Sequence, residues 1–233
     1  MSENYVSKNE LDNTVSAENQ LGGESLTSRG NAKKGLKVLF VGNSITKHGY
    51  KADIGWYGDW GMAASCEEND YVHRTVAMLE ERYGEIDFYI AQCALWERNY
   101  DRTEEVLNES YSDARDFSAD IVVIRIGENM PKGSAPACKP QFAEMIKFFA
   151  SNPNAKVIVT DSFWRNDARD GMIREIAEEN GYVFCHLCDL ELDESNMAIG
   201  LFEHKGVAKH PSDKGMEMIA KRIFESIVST ESK

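Results

Sequence analysis

Apolar runs at Lys37–Val41, Ile86–Ala91, Ile121–Ile126, Lys156–Thr160 and Tyr182–His186 are short and mostly rich in Val and Ile. Their apolar positions are continuous rather than alternating, the pattern of strands covered on both faces in a parallel sheet. Between them, helical periodicity predicts elements at Tyr71–Tyr83, Arg102–Asn108, Lys139–Ala150 and Ala168–Asn180, with a closing helix at Asp213–Val228. Gly84 and Gly181 stand where left-handed cap residues are expected, and Pro140 and Pro211 sit near helix starts. The alternation predicts a three-layer α/β/α sandwich around a mainly parallel, doubly wound, flavodoxin-like sheet with right-handed crossovers. Ligands bind such sheets at the carboxyl ends of the strands.

The chain's 233 residues suffice for one core. Residues 35–233 read as one domain, and 1–34, polar and without an apolar segment, as a disordered tail. No secretory signal is visible there, so the expected compartment is the cytoplasm. No run approaches the roughly 18 apolar residues of a membrane span, so no membrane partner is expected. With 26 basic and 39 acidic residues the net charge is -13, which opposes nucleic acid as a partner. The 5 cysteines are an odd number in a chain too large to need staples, so reduced thiols are expected. Cys185 and Cys188 have the C-x-x-C spacing, but no second Cys/His pair completes a four-ligand zinc site. No metal or other cofactor is therefore expected.

Three predicted strand ends carry polar chemistry. Gly42, Asn43 and Ser44 follow the first strand, Gly127, Glu128 and Asn129 follow the third, and His210 precedes the last helix. A serine hydroxyl becomes a nucleophile when a nearby base takes its proton, and the oxyanion that forms needs preorganised donors. Ser44, His210 and the Asn129 amide are the types for those tasks. Taken singly, each is more often a turn or capping residue.

"VGNSIT" resembles the first block of the SGNH (GDSL-like) hydrolases, "GEN" their G-x-N block and "HPSDKG" their final His block. The resemblance spans about residues 35–229. It implies an esterase with Ser44 as nucleophile and His210 as general base. The Asn129 side chain and the Ser44 backbone N–H would be oxyanion donors, and the family's remaining donor falls on the Ala94 backbone N–H. Asn43 stands where the family commonly has Asp. Val207 stands where it usually has the Asp that orients the histidine, and Glu203 and Glu128 are the nearest substitutes. Some similar esterases use a Ser-His dyad with a backbone carbonyl holding the ring.

Residues 53–73 form a long loop bearing Trp56, Tyr57 and Trp60, either a substrate wall for sugar rings or anchors of the loop to the body. Trp96, Glu97 and Arg98 after the second strand, and Trp164 and Arg165 after the fourth, are expected at the same rim. Trp56, Trp60, Trp96 and Glu128 are thus candidate substrate contacts. The expected partner is a small acylated molecule such as a sugar ester. His48 is too near Ser44 in sequence for the usual geometry, and His73 and His204 read as structural. A catalytically silent carbohydrate-binding descendant of the fold is the alternative, favoured by Val207. Phosphate binding at "GNSITKHG" is disfavoured because G-x-x-x-x-G-K-[ST] is absent.

Overall fold

A computed structural model describes residues 5–10 and 26–229. Among the described residues six strands form one sheet: β1 (Thr27–Arg29), β2 (Leu36–Gly42), β3 (Ile86–Gln92), β4 (Ile121–Arg125), β5 (Lys156–Thr160) and β6 (Val183–Cys185). The helices are α1 (Tyr71–Tyr83), α2 (Ala94–Arg98), α3 (Thr103–Ser110), α4 (Ser112–Asp116), α5 (Lys139–Phe149), α6 (Asp167–Asn180), α7 (Lys205–Ala208) and α8 (Asp213–Val228). The strand order is β1-β3-β2-β4-β5-β6, parallel throughout except for antiparallel β1. Without β1 this is the flavodoxin-like doubly wound order, whose direction reverses between β2 and β4.

The continuous apolar runs reflect burial on both sheet faces. Val38, Phe40, Val123 and Ile158 face a core completed by Leu79 of α1 and by Ile219 and Ile223 of α8. Their neighbours Leu39, Val41, Val122 and Val159 face a second core with Leu107 of α3, Ile146 of α5 and Ile173 of α6. Successive strand side chains point to opposite faces, so both registers must be apolar. Gly181 caps α6 in the left-handed conformation, with φ 69° and ψ 25°. Gly84 has positive φ, but its ψ of -147° lies outside the left-handed helical region. Pro140 lies in the first turn of α5. No helix among the described residues is long and apolar enough to cross a membrane.

The expected tail of residues 1–34 is corrected in its described parts. Thr27–Arg29 pair with Tyr89–Ala91 as the edge strand, and the Arg29 guanidinium meets the buried Asp87 carboxylate. The Ser7 N–H donates to the Arg165 carbonyl at 2.8 Å, and Glu10 pairs with Arg169 at 2.9 Å. Backbone pairing and ions hold these segments, with Leu26 packed against the second core, and one apolar residue leaves no hydrophobic pattern to read. Residues 1–4 and 11–25 lie outside the described residues.

Candidate active site

Gly42 ends β2 where the chain must turn sharply. A Cβ there would lie 1.8 Å from Thr46 Oγ1 and 2.9 Å from the Arg125 carbonyl oxygen, so glycine is required. The following turn is closed by the Thr46 and Lys47 N–H groups donating to the Asn43 carbonyl, at 2.8 and 3.0 Å. Its outer edge is tied down by the Met62 N–H on the Ser44 carbonyl at 2.9 Å. Ser44 is thereby fixed at the carboxyl end of β2, beside the point where the sheet order reverses.

Ser44 Oγ lies 2.8 Å from His210 Nε2, across 166 residues of sequence. On the far side of the ring, His210 Nδ1 lies 2.8 Å from the Gly206 carbonyl. A carbonyl can only accept, so Nδ1 carries the proton and Nε2 presents its lone pair to the serine hydroxyl. That is the tautomer a general base needs. The edge of His210 packs on Trp164 at a centroid distance of 5.3 Å, and its carbonyl accepts from the Ala198 N–H at 2.9 Å. Burial drives the His210 pKa down to about 3, opposed first by the Gly206 hydrogen bond and reinforced to a lesser degree by His48 and Arg125. The imidazole is neutral at physiological pH.

Val207 is buried in an apolar cluster with Trp56, Met62, Ala63 and Ala198. Neither expected substitute acid serves His210. Glu203 is exposed, and Glu128 is committed elsewhere. The Gly206 carbonyl holds the ring instead.

Beneath Ser44 lies a buried polar network that the sequence reading missed. Arg125, fully buried at the end of β4, donates to Glu128 at 2.8 and 2.9 Å and to Asn43 Oδ1 at 2.6 Å. Asn43 Nδ2 donates to Glu128 at 2.7 Å and to Glu97 at 3.2 Å. The Glu97 carboxylate accepts the Gly127 and Asn129 N–H groups at 2.7 and 3.0 Å, and Asn129 Nδ2 at 2.6 Å. Burial tends to raise the Glu128 carboxyl, but Arg125 and Arg169, with hydrogen bonds from Asn43 and the Phe163 N–H, bring it down to about 2. Glu97 is raised, by burial and then by the charge of Glu128. With two carboxylates already present, position 43 must donate, which explains Asn where the family commonly has Asp. The sequence signals were a charge inside an apolar run, Arg125, and a Glu beside the tryptophan after β3.

The expected oxyanion donors are differently placed. Asn129 is buried beside the site, its orientation set by Glu97. The Ala94 N–H donates to Gln92 Oε1 at 3.0 Å, so it is engaged within its own turn. The aromatic wall is corrected. Trp96 is fully buried in the core, donating to Thr103 Oγ1 at 3.0 Å. Trp56 donates to the His48 carbonyl at 2.8 Å and packs edge-on against half-buried Trp60. Both anchor the loop. His73 is held by Asp70 at 2.9 Å, and His204 caps α7. A cleft of about 460 Å³ opens beside Asn129, lined by Arg98, Glu128, Met130, Lys132 and Arg169 among others. Ser44 and His210 are not among its lining residues.

The chain has an SGNH (GDSL-like) hydrolase fold, with the sheet order and the turn after β2 described above. Solved structures that share it include a candidate GDSL-like lipase from Parabacteroides merdae, 19% identical with a TM-score of 0.56, covering 87% of this chain and 98% of that one. A candidate GDSL-like lipase from Bacteroides uniformis is 15% identical, with a TM-score of 0.51 over 83% of this chain and 96% of that one. A two-domain esterase active on acetylated mannans is 14% identical, with a TM-score of 0.53 over 85% of this chain. This chain spans 50% of that esterase's length. No family model matches the chain, and no curated protein matches it.

Proposed function

We propose that the chain is a serine esterase removing short acyl groups, above all acetyl, from a carbohydrate or similar polar molecule. The observation that carries this reading is the Ser44 Oγ to His210 Nε2 hydrogen bond of 2.8 Å, with Nδ1 held by a carbonyl. In the proposed cycle Nε2 takes the hydroxyl proton as Ser44 Oγ attacks the ester carbonyl. The Ser44 N–H and Asn129 Nδ2 stabilise the tetrahedral oxyanion, and His210 returns the proton to the leaving alcohol. Water, deprotonated by the same nitrogen, then releases the acid from the acyl-enzyme.

The substrate class draws support from the cleft beside Asn129, whose Arg98 and Lys132 suit a hydroxyl-rich substrate better than a long acyl chain. A fold neighbour active on acetylated mannans points the same way. The test is hydrolysis of acetylated sugars and of a chromogenic acetate by the wild type, Ser44→Ala and His210→Ala. Turnover lost in both variants supports the assignment, and turnover retained in either removes that residue from it.

A catalytically silent binder is the second reading. It is favoured by Val207 at the acid position and by the engagement of the Ala94 N–H with Gln92. Wild-type protein that binds acetylated sugar without turnover would establish it.

A further inference from the structure

The stretch Cys185-His186-Leu187-Cys188 takes no part in the dyad. Its cysteines diverge: Cys185 lies in the core facing α8, whereas Cys188 turns toward the end of β5. There one ligand atom from each of Asp161, His186 and Cys188 lies within 4.8 Å of the others. Asp161 is the first residue after β5, and His186 the first after β6, so two adjacent parallel strands deliver the ligands to one point.

We propose that Asp161, His186 and Cys188 form a binding site for a zinc-type divalent transition-metal ion, with the remaining coordination position open to solvent. One sulfur, one imidazole nitrogen and one carboxylate oxygen suit Zn²⁺ or Co²⁺, whereas Ca²⁺ and Mg²⁺ demand oxygen ligands. Tetrahedral zinc bonds of about 2.0–2.3 Å place ligand atoms roughly 3.3–3.6 Å apart, so closure needs about 1 Å of movement. The ring can supply it, because the His186 side chain is 50% exposed while that of Asp161 is 1% exposed.

Asp161 is already held by the loop that brings the other ligands. Its Oδ1 accepts the Leu187 and Cys188 N–H groups, leaving Oδ2 facing His186 Nδ1 at 2.6 Å. A cleft of about 520 Å³ lined by Asp161, His186 and Cys188 gives an ion and its water access from solvent. Of the neighbouring cations, Arg165 pairs with Asp167, Arg174 lies over the Phe184 ring, and Arg222 pairs with Asp189 while donating to the His186 carbonyl at 2.9 Å, so none pairs with the ligand carboxylate of Asp161. On binding, Cys188 ligates as thiolate and its proton passes to solvent. The site lies two to three strands from β2, roughly 10–14 Å from Ser44 at about 4.8 Å per strand, so it is separate from the esterase dyad. The bound ion would pin the β6 loop to the end of β5.

The test is Co²⁺ titration of the untagged full chain, read by thiolate-to-metal charge-transfer absorption. Expected are one Co²⁺ per chain, competition by Zn²⁺, loss of the band in Cys188→Ser and its retention in Cys185→Ala. His186→Ala, a half-exposed position that leaves folding intact, weakens binding at least about tenfold. The proposal is overturned by absence of the band in the wild type, its survival in Cys188→Ser, its loss in folded Cys185→Ala, or wild-type affinity in His186→Ala. Should Cys188→Ser not fold, the His186→Ala affinity decides.

Discussion

Asn43→Asp introduces the residue common in the SGNH hydrolases that this sequence resembles, yet here it should destabilise. The substitution keeps the side chain's volume and removes two donated hydrogen bonds, to Glu128 at 2.7 Å and to Glu97 at 3.2 Å. Hydrogen bonds to charged groups contribute about 1.5–3 kcal/mol each, so their loss costs about 3–6 kcal/mol. The new carboxylate repels Glu128 by about 5–6 kcal/mol at 3 Å and an effective dielectric of 20. Attraction to Arg125 Nη2, now 2.6 Å from Asn43 Oδ1, offsets a similar amount. Repulsion from Glu97, 3.2 Å from Asn43 Nδ2, adds to this, so the net expectation is at least the roughly 3–6 kcal/mol of lost donation, a large part of the stability of an ordinary domain. Guanidinium denaturation at neutral pH reads it directly as the difference from wild type at equal m-value. The penalty should shrink as pH falls, because protonation of one carboxyl restores a donor. A loss below about 1 kcal/mol would refute the view that position 43 must donate to two buried carboxylates.

Acid should destabilise the fold through His210, whose pKa falls from an ordinary 6.5 to about 3 on burial. The folded state then binds fewer protons than the unfolded one, so stability is complete above pH 6.5 and declines by about 1.4 kcal/mol per unit below it, about 2 kcal/mol at pH 5. Measured against His210→Gln, which lacks this loss, the wild type should show that slope, and a flat difference between pH 7 and pH 5 contradicts the buried neutral imidazole. Gly42→Ala forces a Cβ to 1.8 Å from Thr46 Oγ1 and should cost about 1–3 kcal/mol, seen as a lower Tm; an unchanged Tm would show that the turn can open. Trp56→Ala should cost about 3–5 kcal/mol in urea denaturation, as for a core residue, whereas a solvent-facing sugar contact would be removed at almost no cost.

The sheet was legible because both faces of β2, β4 and β5 are buried, which writes uninterrupted apolar runs into the chain. Strand β1 was not, since it attaches by backbone pairing and the Arg29–Asp87 ion pair. Short α2, α4 and α7 left no periodicity to read at five, five and four residues. Ser44 and Asn129 were legible as polar residues after the ends of β2 and β4, and His210 as a polar residue before α8. A backbone carbonyl was among the expected partners of His210, but which one was hidden, because any residue could supply it and only the fold brings Gly206 there. Of the two readings open for the loop tryptophans, the anchor holds: an aromatic among glycines serves either role in a sequence, and only the fold shows the indole N–H of Trp56 on a carbonyl within the loop's own small core. The Glu97–Asn43–Glu128–Arg125 network depends on contacts across as many as 85 residues, which no local pattern reports.

Fluorophosphonate labelling, with the modified residue mapped by mass spectrometry, bears most directly on whether Ser44 and His210 form a working dyad, since it needs no knowledge of the natural ester. The geometry predicts one phosphonylated residue, Ser44, in the wild type and no labelling in either Ser44→Ala or folded His210→Ala. A folded wild type that stays unlabelled, or a label on any other serine, would contradict it.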